Sequence, residues 1–174
     1  MGIRLSHCLT LWIFLFPLQS FAQTDKASVT FYSIRHSAKQ QLKDAVVPVG
    51  TIPFTGWLFD GDQKLAHVQR GRFMTFHLAA GEHRFTVPYH SNRPGTTPLL
   101  LKVESGQHYC FRLSAKYKSA SILLPAAVVD SQIEQVDCQQ AQKEAGQYER
   151  IDLKRIDPAI RAELETSTSF SIEN

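Results

Sequence analysis

The sequence predicts an all-β sandwich of about seven or eight short antiparallel strands, followed by a helical C-terminal extension. Two observations carry this. From Ser28 to Val129, runs rich in Val, Ile, Phe, Tyr and Leu are broken by turn residues roughly every eight to twelve positions. After Asp130 the composition shifts to Gln, Glu and Ala. Short amphipathic strands in that number must each bury one face, which two packed sheets achieve.

Ser28 to His36 opens the series. Thr55 to Phe59 and Lys64 to Gln69 are joined through Asp60, Gly61, Asp62 and Gln63, where Asp-Gly supplies the positive φ angles of a tight hairpin. Arg70 and Gly71 turn the chain into Arg72 to Leu78, and Ala79 to Glu82 reverses it into His83 to Tyr89. Glu104 to Gln107 separates Pro98 to Val103 from His108 to Ser114, and Ser121 to Val129 is the last predicted strand. Ser37 to Pro53 and His90 to Pro98 break the rhythm and read as loops. Ser131 stands three residues before Glu134, a reciprocal capping pattern, so a helix is expected from Gln132 to Ala145, ended by Gly146. Asp157 and Pro158 signal a second helical start leading into Ala159 to Glu165, and residues 166–174 read as a flexible tail. The organisation expected is a signal segment over 1–22, a sandwich over 23–130 and a helical segment over 131–165.

The N-terminus has a basic start with Arg4 and His7, an apolar run from Leu9 to Leu18 and small residues at Ser20 and Ala22, the layout of a cleavable secretory signal. The run is about ten residues, half of the roughly 20 that a spanning helix needs, so no transmembrane segment is expected after cleavage. Cys8 lies ahead of the apolar run, which is not a lipoprotein setting. Its removal leaves Cys110 and Cys138, an even pair in a chain bound for an oxidising compartment, and a disulfide is expected rather than two separate buried thiols. The formal charge of +3 over 174 residues falls by one with Arg4 and is evenly spread, which argues against nucleic acid as a partner.

Four stretches resemble a family of exported bacterial domains known as domain of unknown function 2846, which is similar to PEGA-type and carboxypeptidase-regulatory-like sandwiches. They are the opening strand Ala27 to Arg35, the Asp-Gly hairpin Leu58 to Ala66, the strand and turn from Gly71 to His83, and Gly106 to Arg112 with its Tyr109. Ala80 stands where PEGA-like turns often have Pro. The resemblance implies an immunoglobulin- or PEGA-like fold and an exported address. It implies no catalytic residues.

The candidate chemistry is sparse. His36, His67, His77, His83, His90 and His108 form no local metal-ligand spacing, so a site would have to be assembled by the fold, and no metal or other cofactor is expected. His108 and Cys110 share a strand face, the minimum for a thiol nucleophile, but a bridge to Cys138 would consume the thiol. No Gly-x-Ser-x-Gly elbow occurs. Phe54, Trp57, Phe59 and Tyr89 could form a platform for a sugar or peptide, although a doubly covered core strand explains Trp57 and Phe59 more simply. Arg70, Arg72, Arg84 and Arg93 read as a solvated rim. The expected function is therefore non-catalytic: a periplasmic or extracellular accessory module that binds an envelope or extracellular protein through its sheet edges and the 90–98 loop. The alternatives are a carbohydrate or small-molecule binder using Trp57, Tyr89 and Arg93, and a hydrolase whose site has no local motif.

Overall fold

The computed structural model describes residues 26–35, 51–88, 91, 93–121 and 124–163. The expected signal segment, Tyr89, His36, His90 and the expected tail lie outside them. Among the described residues the chain is mostly β, with strands β1 (Lys26–Ser33), β2 (Thr51–Pro53), β3 (Gly56–Asp60), β4 (Gln63–Val68), β5 (Arg72–Ala79), β6 (Gly81–Thr86), β7 (Leu99–Val103), β8 (His108–Ser121), β9 (Leu124–Val136) and β10 (Glu149–Arg150). One helix, α1 (Cys138–Ala145), and two 3-10 turns, Leu153–Arg155 and Pro158–Glu163, complete it. No helix here is long and apolar enough to cross a membrane.

The strands form two sheets. One has six strands along the path β10-β5-β1-β8-β2, with β9 also on β8; the other has four in the order β4-β3-β6-β7. Because β9 pairs with β8 along its whole length, β1 and then β2 must lie in succession on the opposite side of β8. The pairing of β1 with β8 is parallel. The predicted Asp-Gly hairpin joins β3 to β4, and Gly61 supplies the positive φ of 54°.

Between the sheets lies the main core. Val29, Phe31, Met74, Phe76, Phe111 and Leu113 face Leu58, Leu65, Val68 and Phe85 from the smaller sheet. Phe31 is at its centre, edge-on to Phe85 at 5.0 Å and stacked on Phe111 at 5.3 Å between centroids. The alternate residues of β1, β5 and β8 face the other way. There Tyr32, Phe73 and Cys110 form a second cluster with Ala141 and Ala145 of α1, whose small side chains let the helix lie close to the sheet.

The cysteines are joined. Cys110 and Cys138 form a disulfide with Cα atoms 5.3 Å apart. Val136 is the register partner of Cys110, so the bond closes the β8–β9 hairpin and pins the first residue of α1 to the sheet.

Two expectations about elements need correction. The helix does not begin at Gln132: β9 continues across that position, with Ser131 opposite Ala115 and Ile133 opposite Leu113. Long-range pairing overrides the local capping pattern, and Asp137 caps the helix instead, accepting from the amides of Gln139 and Gln140. The expected loop over 37–53 also holds β2, because Pro53 to Thr51 extend the sheet along Ser114 to Lys116 where β1 ends.

The C-terminal segment returns to both sheets. β10 pairs with the edge of β5. Ile156 bridges to Ala66, and the amide of Asp157 donates to the carbonyl of Leu65, which covers the edge of β4. Ile151, Ile156 and Ile160 complete the main core.

Candidate functional site

On the helix-covered side of the six-stranded sheet, a polar network surrounds the Tyr32 hydroxyl. It donates to Glu144 of α1 at 2.7 Å. Arg112 donates to both carboxylate oxygens of Glu144, at 3.1 and 3.3 Å, and to Glu134 at 2.8 Å, and Gln140 donates to Glu144 at 2.8 Å. Burial pushes the Glu144 carboxyl up, but these donors and the Arg112 charge outweigh it and hold the group below its ordinary value. Burial first, and the bond to Glu144 second, push the Tyr32 phenol far up, so it remains a neutral donor. The bonds to Glu144 hold α1 on the sheet, and the Arg112–Glu134 pair ties β8 to β9.

The fold assembles histidines that are distant in sequence. His77 and His108 are register partners of Ser28 from opposite sides, so all three share one row across the sheet. No group of three or more metal-ligating side chains occurs among the described residues. His83 is engaged at both ring nitrogens, with Asp60 at 2.5 Å and the carbonyl of Ala79 at 3.0 Å. The hairpin geometry sets this up, since Asp60 also accepts from the amide of Arg84. Cys110 has no thiol to offer beside His108, because it is in the disulfide.

The outer face of the four-stranded sheet differs. A register shift between Leu58 and Phe59 inserts Leu65 as an extra residue on β4. Leu65 and Ala66 both enter the core, while Trp57, Lys64 and His67 are half-buried outside it and Phe59, on the same side as Trp57, is covered. Trp57 was expected to be core; it is half-buried and belongs to neither cluster. Its ring is edge-on to His67 at 5.2 Å, and the Lys64 ammonium lies 4.8 Å over it. The Arg155 guanidinium donates to Nδ1 of His67 at 3.3 Å. Burial, then the Arg155 charge, push the His67 pKa down.

Phe59 is fully buried, as expected, and Phe54 is fully buried too, which removes both from any surface platform. The amide of Gly95 donates to the hydroxyl of Thr86, the register partner of Phe59, so the loop after β6 lies across this end of the face. Arg93 is exposed on that loop. Tyr89 is outside the described residues, and its role beside Trp57 is not tested by the geometry. On β6 and β7, Arg84 pairs in register with Leu100, and both are exposed, Leu100 to 69%. The sequence carried no signal for Arg155 as a neighbour of Trp57, because a bridge 90 residues apart, Ala66 to Ile156, places it there.

No family model matches the chain, and no curated protein or solved structure matches it.

Proposed function

We propose that this protein is an exported, non-catalytic binding domain, an accessory module of the cell envelope or extracellular space, with the outer face of its four-stranded sheet as the working surface. The observation that carries the proposal is Trp57, a large aromatic held outside both cores between His67 and Lys64. An indole anchored by its neighbours and only half-buried offers contact area at little ordering cost, the property of residues that dominate interfaces. The apolar run ahead of Ala22 and the Cys110–Cys138 bond support export. The two-sheet architecture is compatible with an immunoglobulin- or PEGA-like sandwich, the finer fold that the family resemblance implies.

The test is a photo-crosslinking residue introduced at position 57 and, separately, at exposed Lys143 on α1, in cells that make the full chain. Crosslinking from position 57 alone, with the protein found outside the cytoplasm and starting at Gln23, is the expected outcome. Equal capture from both positions, or a cytoplasmic protein retaining residues 1–22, would contradict the proposal.

A further inference from the structure

The charge around Trp57 specifies what the face can hold. Contacts run in a line from Lys64 to Trp57, His67 and Arg155, with a cation at each end. Arg84 is exposed farther along the same face, and Arg93 is exposed on the loop that crosses it. None of these four cations meets a carboxylate among the described residues, whereas on the other sheet Arg72 pairs with Glu149 and Arg112 with Glu134 and Glu144. The acid on the outer side of β6 is Glu82, which stands opposite Lys102. Surplus positive charge is thus concentrated where the indole is open.

The His67 ring fits this arrangement. A guanidinium can only donate, so Nδ1 must accept, and the ring proton is on Nε2. A neutral ring adds no further repulsion between the cations and leaves one N–H donor at the edge of the indole. The Lys64 ammonium over the half-buried indole is a weak, exchangeable contact, able to leave the ring when a stronger anion arrives.

We propose that this face binds an acidic polysaccharide: the C–H face of one sugar stacks on Trp57, while carboxylate or sulfate groups of the chain meet Lys64 and Arg155, with Arg84 and Arg93 extending the track. The assignment rests on the outer face being the working surface. A pyranose unit bearing an acid group supplies both an apolar face and an anion within one residue, which is the pairing that an indole flanked by cations matches. A flexible acidic peptide would satisfy the cations and leave the indole unused.

Trp12 and Trp57 are the two tryptophans of the chain, so in a Trp12→Phe protein the emission reports Trp57 alone. Titration with heparin is expected to change that emission and to bind more weakly as salt rises, because contacts between exposed charges are screened. Lys64→Ala with Arg155→Ala should weaken binding by about tenfold or more, the scale of one lost charged contact. Lys64→Arg should retain it, Lys143→Ala should leave it unchanged, and all variants should be compared at matched melting temperature. Poly-glutamate, oligo(dT) or neutral dextran binding as tightly as heparin would overturn the acidic-sugar assignment while leaving the face a binding surface. Emission unmoved by any probe overturns the assignment as well. If a crosslinker at position 57 also captures nothing in the envelope, the underlying reading fails with it.

Discussion

The outer faces of the two sheets are built from similar residues but differ in how those residues are partnered. On the six-stranded sheet, Tyr32 and Phe73 lie beneath α1; Arg112 is paired with Glu134 and Glu144, and a disulfide holds the helix down. On the four-stranded sheet, Trp57 and Lys64 are half-buried and Arg84 is exposed, with the Gly95 loop crossing the end at Thr86. An aromatic beside an arginine is not in itself a binding signal. What separates the two faces is whether the fold supplies the acid from within, as Glu144 does for Arg112 and no carboxylate among the described residues does for Lys64, Arg84 or Arg155.

The largest test of that contrast is the staple. Replacing Cys110 and Cys138 by Ala should lower stability by about 3 to 4 kcal/mol on the chain-entropy estimate for a loop of this length. Chemical denaturation would measure it, and heparin titration of the surviving folded protein should be unaffected. Tyr32→Phe should cost about 1 to 2 kcal/mol, since it removes a donor from the Glu144 carboxylate, and an unchanged denaturation midpoint would mean that the network does not hold α1.

Trp57→Ala reverses the balance. A half-buried side chain outside both cores should cost about 1 kcal/mol of stability or less, yet abolish binding at the face. A loss of several kcal/mol would place Trp57 in the structural set with Phe59. The smallest effect is a pH dependence. The folded His67 pKa lies below its ordinary 6.5, so the unfolded chain takes up a proton first as pH falls. His67 therefore favours folding fully above pH 6.5 and progressively less below it, down to its folded value. His67→Gln should flatten that part of a melting-temperature profile between about pH 7.5 and 5.5.

Much of the β-rich, two-sheet architecture is legible in the sequence, because turn residues such as Asp60, Gly61 and Gly106 punctuate it. The disulfide is legible too, from the even pair of cysteines left once the expected signal segment is set aside. What eluded it depends on distant partners. Ser131 to Val136 carries helix-like polarity but is held as strand by β8, and β2 is recruited only because β1 ends beside Leu113. Strict alternation along β3 and β4 hides the shift at Phe59 that puts Leu65 inside. The candidate site suffers most, since Trp57 was expected in the core and Arg155 reaches His67 from the far end of the chain.

Hydroxyl-radical footprinting of the purified protein, alone and mixed with its own envelope fraction, tests the division between a sealed and a working face most directly. The expected result is that Trp57 is oxidised in the isolated protein and protected by the envelope fraction, while Tyr32 and Phe73 resist oxidation in both. Envelope-dependent protection at Tyr148, just beyond α1, with Trp57 unchanged, would contradict it.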